Sequence, residues 1–82
     1  MIATLTANIA ARDILTGMLL ELTRNEDEFV RRVAAAALGH SGAERAVGRL
    51  LELTRDDSEE VRRAAAKALW QMAWRHKMPI RA

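Results

Sequence analysis

One 20-residue segment occurs twice in the chain, and this repeat limits the possible folds more than any other feature. Residues 19–38 read LLELTRNEDEFVRRVAAAAL and residues 50–69 read LLELTRDDSEEVRRAAAKAL, so the copies are offset by 31 residues and share 14 of 20 aligned positions. A repeat of this period is typical of an array in which each unit buries its apolar face against its neighbours. The sequence therefore predicts stacked units.

The apolar residues of each unit follow the spacing of an amphipathic helix. In the first unit Leu15, Met18, Leu19 and Leu22 share one helical face, and an acidic turn then leads into a second helix. We predict helices near residues 12–24, 27–39, 43–55 and 58–76, with Pro79 ending the last. The core residues predicted from this pattern are Val30, Leu38, Val61 and Leu69.

This pattern gives an all-α fold, an α–α superhelix with two full helix pairs and a short N-terminal helical segment. We expect one domain over residues 1–82, with units of about 12–42 and 43–76. In the N-terminal segment Ile2, Leu5 and Ile9 have helical spacing, whereas Asn8 could instead cap a following helix.

The two units differ at two positions that are apolar only in the first. Ile14 and Met18 align with Arg45 and Arg49, so a surface that is polar in the second unit is expected to be covered in the first. The apolar residues of the N-terminal segment are the nearest candidates to cover it.

Glycine and turn residues suggest how the helices begin and approach each other. The spacings Asn25–Glu28 and Asp57–Glu60 are those of capping boxes at the starts of the second helices. Gly17 and Gly48 occupy matching positions, which suggests close approach of the first helices.

Composition excludes several classes of protein. The chain contains no cysteine, so disulfides and thiolate metal sites are impossible, and a reducing cytoplasm is the expected location. No apolar run approaches the roughly 20 residues of a membrane span, so no membrane partner is expected. The first residues also lack the charged start and apolar core of a signal peptide.

The repeated residues resemble the HEAT-like repeats of the bilin-lyase (PBS lyase) type. The resemblance is carried by an acidic turn, a Val-Arg pair, an alanine-spaced helix and a glycine junction, which recur in register over residues 12–74. It implies antiparallel helix pairs in a right-handed superhelix, with the second helices lining the concave face. It also implies a ladder between units, for which Asp57 and Arg62 match the family pattern, while Glu26 stands at the aligned acidic position of the first unit.

The sequence contains no recognisable catalytic, metal-binding or cofactor-binding pattern. His40 and His76 lie on different helices, and Ser41 and Ser58 occupy helix boundaries, where a hydroxyl group has a structural use. We therefore expect no catalytic residue, no metal and no cofactor, and a bilin-lyase-like enzyme is the weakest of the functional hypotheses.

Two surfaces are candidates for binding a partner. The arginines form three rows one repeat apart, at Arg24/Arg55, Arg31/Arg62 and Arg32/Arg63, which could contact nucleic-acid phosphates, although neighbouring glutamates offset their charge. On a helical wheel of the last helix, both tryptophans fall on the polar face that should be concave. The partner-binding residues predicted there are Phe29, Arg32, Arg63, Lys67, Trp70 and Trp74.

Exposed tryptophan beside arginine is typical of protein–protein hot spots, so a protein-binding module is the favoured function. The simpler structural interpretation is that the C-terminal tail, with Met78 and Ile80, folds over the tryptophans. Because two helix pairs are fewer than the three or so repeats of a stable array, we also expect a homodimer. The predicted dimer interface includes Trp70 and Trp74, with Phe29 and Arg63 in it or beside it.

Overall fold

The helices predicted from the repeat form two stacked pairs. The computed structural model describes the backbone of residues 2–77 and the side chains of residues 8–75. No β-strand occurs within residues 2–77, and the predicted all-α repeat fold is confirmed. The elements are α1 (Ile2–Leu22), α2 (Glu28–Ser41), a 3₁₀ turn (Glu44–Ala46), α3 (Val47–Leu53) and α4 (Glu59–Lys77).

The first helix is longer than the repeat predicts. The N-terminal segment is helical, but it continues directly into the following helix, so Asn8 lies inside α1 and caps nothing. The segment between Asn8 and Arg12 contains no glycine or proline, and its alanines favour helix. The preceding apolar residues are therefore part of the same helix as Ile14 and Met18. They cannot fold back over these two residues, and that expectation is wrong.

The third helix begins later than predicted. Gly42 ends α2 with a left-handed φ of 72°, and its N–H donates to the carbonyl of Leu38. The next residue, Ala43, is extended and is followed by the 3₁₀ turn, in which the N–H of Ala46 donates to the carbonyl of Ala43 at 3.0 Å. Short 3₁₀ turns are common at helix N-termini. Regular α-helix therefore starts only at Val47.

Both second helices begin with side-chain caps at aligned residues, 31 positions apart. Asp27 accepts the backbone N–H two residues later at 2.8 Å, and the Ser58 hydroxyl accepts the N–H three residues later at 3.3 Å. Asn25 and Asp56 accept the N–H groups of these two residues, at 2.8 and 3.0 Å, and so shape the turns. The caps therefore lie one or two residues after the predicted Asn25 and Asp57, and the residue three positions after each cap is valine, so the predicted capping boxes do not form.

The core lies between α2, α3 and α4, and α1 only borders it. Leu19 and Leu20 of α1 are half-buried against this core. Its fully buried members are Ala35, Leu38, Ala46, Leu50, Leu53, Val61, Ala65, Ala68 and Met72.

The burial of a predicted core residue depends on whether another helix pair packs against its unit on that side. Leu38 and Val61 are 0% exposed, as predicted, but Val30 and Leu69 are only half-buried, so that part of the prediction is wrong. Val61 belongs to the second unit and is covered by α2 of the first. Val30 is the equivalent residue of the first unit, which has no preceding helix pair within residues 2–77. Leu69 packs against the core without being fully covered.

The closest approach between units is made by Gly39. A Cβ atom added there would lie 2.4 Å from the Cβ of Ala68, so only glycine lets α4 pack this closely on α2. The expectation for the other two glycines is wrong. A Cβ on Gly48 would meet nothing within 4 Å, and one on Gly17 would meet only the flexible end of Arg45, at 3.4 Å.

Alanine substitutions at two glycines test this packing. We expect Gly39→Ala to lower the free energy of unfolding by about 1–3 kcal/mol through overpacking. Gly48→Ala should raise it by up to about 1 kcal/mol, because alanine favours helix and the site is open. Urea unfolding of both variants beside the wild type is the measurement. Equal effects of the two substitutions would contradict the close α2–α4 contact.

A buried-edge ion pair joins the two units on the turn side of the stack. The Arg31 guanidinium donates to both carboxylate oxygens of Asp56, from Nε at 3.1 Å and from Nη2 at 2.9 Å, while each side chain is only 13% exposed. Its Nη1 donates to the carbonyls of Asn25 and Glu26, both at 2.9 Å. The guanidinium therefore fixes its own turn and the next unit together.

The ladder implied by the family resemblance is present but uses different residues. The acid is Asp56, while Asp57, whose side chain is 93% exposed, reaches Arg31 only at the edge of the pair, at 3.1 Å. Arg62 makes only the bond within its own unit, from Nη1 to the Asp56 carbonyl at 2.8 Å, among the described residues. The ladder contact thus runs from the arginine of one unit to the acid of the next unit.

The pKa of Asp56 makes this link sensitive to pH. Burial by itself raises the pKa of Asp56, but the hydrogen bonds and positive charge of Arg31, with the N–H of Ser58, outweigh it and hold this pKa below its ordinary value. A lowered carboxyl pKa stabilises the fold above the unfolded-state pKa of about 4, and this stabilisation is lost as the pH falls through the folded-state pKa.

Asp56→Asn should lower the melting temperature at neutral pH, because the charge of Arg31 loses its partner while the amide oxygen keeps the turn, as Asn25 does. The difference from the wild type should shrink below about pH 4, where the wild-type carboxylate becomes protonated. Asp57→Asn is the matched control and should change little. Thermal unfolding from pH 3 to 7 measures both variants, and a constant difference for Asp56→Asn would contradict the ladder.

Candidate partner-binding groove

An open groove of about 840 Å³ runs along the concave surface of the two second helices. The 31-residue repeat places equivalent residues of α2 and α4 side by side along it. Three pairs of equivalent residues line the groove: Arg32 with Arg63, Val33 with Ala64, and Ala36 with Lys67. We call the small apolar residues that line the groove its floor, and the long basic side chains that line it its rim.

The α1 helix supplies one wall of this groove. Leu15 and Leu19 lie along it, opposite the α4 side. Leu15 is 52% exposed and Val33 of α2 is 46% exposed, so apolar surface faces solvent along this wall. The helical wheel of the last helix could not predict the contribution of these residues, because they lie on α1 and α2. The sequence pattern places Leu15 on one helical face with Met18, Leu19 and Leu22, but it does not indicate which element that face meets.

The charged rim is mainly positive. Arg32 lies over the ring of Phe29, 5.0 Å from its centroid, and forms no ion pair among the described residues. Arg63 donates to Glu59 at 2.7 Å, with both side chains well exposed. Exposed pairs of this kind contribute little energy and open readily. The rim therefore has accessible cations, and its one carboxylate is that of Glu60.

The tryptophans lie at the C-terminal end of the groove. Trp70 and Trp74 are 63% and 55% exposed, and their ring centroids are 5.7 Å apart with a tilt of 40°. A shallow pocket of about 420 Å³ joins them to His40, whose carbonyl accepts a hydrogen bond from Arg75 at 2.9 Å. The exposed faces of the two indole rings are therefore available to a partner.

The structure divides the six predicted partner-binding residues into three groups. Arg32, Arg63 and Lys67 line the groove together, and the two tryptophans adjoin its end. Phe29, 59% exposed, lies in the first turn of α2, about 15 Å along the helix axis from the level of Trp70. The aromatic residues therefore do not form one patch. Met78 and Ile80, which were expected as a possible cover for the tryptophans, lie outside the described residues.

The hydroxyl and imidazole groups of the groove both lie at the end of α2. Its one serine, Ser41, donates its hydroxyl hydrogen to the Leu38 carbonyl at 2.9 Å, and its one histidine, His40, lies in the last turn of α2. Within the described residues no three His, Asp or Glu side chains are placed to hold a metal ion. None of the helices described is long and apolar enough to cross a membrane.

The stacked pairs, inter-unit ladder and concave groove define the chain as a helical-repeat solenoid module. A family model described as HEAT repeats matches residues 2–74, and the chain belongs to this family. HEAT repeats are commonly scaffolds for protein–protein interaction. The match does not single out the bilin-lyase type. Comparison with curated proteins and with solved structures gives no significant match.

The exposure of the tryptophans predicts their fluorescence. Because Trp70 and Trp74 are both more than half exposed, their emission should resemble that of indole in water. Acrylamide should quench them nearly as well in the native protein as in urea. Blue-shifted emission with strong protection from acrylamide would contradict the exposed arrangement and would favour a cover over this surface.

Proposed function

We propose that this chain is a protein-binding module that self-associates and whose groove holds a segment of a partner protein. The observation that carries the proposal is the combination of a groove with an apolar floor and a basic rim and, in the pocket at its end, two exposed tryptophans. Monomeric proteins rarely leave such apolar surface uncovered, and interface hot spots are enriched in tryptophan and arginine.

The chemistry of the groove also suggests the kind of segment it binds. Lys67 has no ion pair among the described residues and Arg32 has only the Phe29 ring, so both are free to meet carboxylates. The floor, with Val33 and Ala64, suits aliphatic or aromatic side chains. We therefore propose an amphipathic segment with acidic and apolar residues as the ligand. Charge complementarity of this kind favours specificity and fast association.

Binding of nucleic-acid backbone is the second candidate, and the arrangement of the arginines favours it less. In the Arg31/Arg62 row, Arg31 is fully engaged in the ladder and Arg62 donates to the carbonyl of Asp56. Bilin-lyase-like activity, which the resemblance to that repeat type suggested, is weaker still. The Ser41 hydroxyl in the groove donates to the Leu38 carbonyl, and no hydrogen bond or ion pair joins the side chains of His40 and Glu60 among the described residues.

Selection from a random peptide library displayed on phage tests the groove. We expect enrichment of peptides that combine Asp or Glu with Leu, Phe or Trp. Their binding should fall at least tenfold in the variant Lys67→Glu/Trp70→Ala, since both a charge pair and an aromatic contact are lost. Leu51→Ala is the control, because Leu51 is 55% exposed on α3 and lines none of the grooves described above.

Two outcomes of this experiment would reject the groove as a protein site. One is selection of peptides that bind the groove variant as well as the wild type. The other is preferential binding of a labelled oligonucleotide whose affinity falls steeply between about 50 and 200 mM salt, which would support phosphate contacts instead.

A further inference from the structure

The α1 helix carries an exposed apolar surface that the proposed groove does not explain. We define the α1 stripe as Ile14, Leu15, Met18 and Leu22, which are 64%, 52%, 58% and 42% exposed. At about 100° per residue these four side chains fall within an arc of about 100°, and no charged residue of α1 lies inside that arc. Such a surface is unusual for a helix that faces only water.

The internal repeat shows what covers the equivalent surface in the second unit. Leu15 and Leu22 align with Ala46 and Leu53, which are 0% and 1% exposed. Those two residues belong to the core that α2 closes from the first unit. The α1 stripe therefore occupies the position against which a further helix packs in the second unit.

A helix that covers the α1 stripe must present a different surface from the one that α1 presents to the second unit. Arg45 and Arg49 of the second unit reach back to α1 and donate to the carbonyls of Asp13 and Thr23, both at 2.9 Å. Ile14 and Met18 hold these positions in α1 and cannot make such bonds. The stripe is therefore suited to an apolar partner surface and not to backbone carbonyls.

A second copy stacked head to tail does not fit the stripe. Such a copy would place Trp70 where the present stack has Gly39, and even a Cβ atom there would lie 2.4 Å from Ala68. The ladder would fail as well, because the acid that Arg62 requires, equivalent to Asp56, is Asn25 in the first unit. The tryptophan at position 70 and the asparagine at position 25 therefore both disfavour a chain of copies stacked head to tail.

We propose that the α1 stripe pairs with the α1 stripe of a second copy around a two-fold axis. A surface without charges is self-complementary, since pairing it with itself neither strands an ion nor brings like charges together. This inference specifies the self-association proposed above and does not depend on peptide binding. Because Leu15 also lines the groove, α1 of the partner copy would adjoin that wall.

The substitution Ile14→Arg/Met18→Arg tests the interface with residues that the repeat itself uses at Arg45 and Arg49. We expect the wild type to sediment as a dimer at micromolar concentration. The variant should sediment at half that mass with unchanged helical circular dichroism. Leu51→Arg is the matched control, an equally exposed apolar residue changed to arginine on α3, and should remain dimeric.

Cysteine cross-linking provides a second measurement if the arginine variant does not fold. The chain has no cysteine, so Met18→Cys introduces a single thiol near the proposed axis. Mild oxidation should convert most of this variant to a disulfide-linked dimer, whereas Trp74→Cys should stay largely unlinked.

Several results would overturn the proposal. A monomeric wild type rejects self-association altogether, without affecting peptide binding to the groove. A dimer that survives Ile14→Arg/Met18→Arg but is lost in Trp70→Ala/Trp74→Ala moves the interface to the tryptophans. Concentration-dependent growth into larger oligomers would indicate head-to-tail stacking.

Discussion

The contact of Gly39 with Ala68 is the constraint on which the rest of the structure depends. It brings α2 and α4 close enough that Leu38, Val61 and Ala65 form one core with α3. The same contact sets the position of the two helices along their axes, so that Arg31 meets Asp56 on the turn side of the stack. It also places equivalent residues side by side along the concave surface. Core, ladder and groove therefore follow from one packing distance.

The ends of the stack explain most of the remaining features. A repeat unit buries its apolar residues against neighbouring units, so a face that meets no other unit within residues 2–77 stays exposed. Val30 and Val61 are equivalent in sequence, yet only Val61 is fully buried. At the other end, Trp70 replaces the glycine that allows a further unit to dock in the same way. The two ends thus differ in chemistry: one presents aliphatic side chains and the other presents aromatic ones.

Sequence reasoning predicted the fold because the 31-residue period is a property of the chain alone. It failed where burial depends on which unit packs against a residue, and where helix propensity or turn formation competes with the repeat pattern. The repeat suggested a boundary near Arg12, but helix propensity continues through it. The acid of the ladder is one residue earlier than the family pattern suggests, because Asp56 both shapes its turn and faces Arg31. Half-burial of Val30 could not be predicted from its periodicity.

The candidate site was predicted in part for the same reasons. A helical wheel places residues around one helix, which was sufficient to bring Arg63 and Lys67 into the groove. It gives no distance along the axis, so Phe29 was grouped with tryptophans from which it is well separated. It also carries no information about a helix that crosses from elsewhere, and therefore Leu15 was missed.

Residue-resolved hydrogen exchange under native conditions tests most directly the claim that one α2–α4 contact organises the molecule. Amides that exchange only through global unfolding should cluster in α2 and α4, around Leu38, Val61 and Ala65, and extend to Leu50 of α3. The first half of α1, residues 2–13, should exchange fastest among the helices. If the slowest amides lay in α1 while those of α2 and α4 opened locally, the α2–α4 contact would not be the centre of the fold.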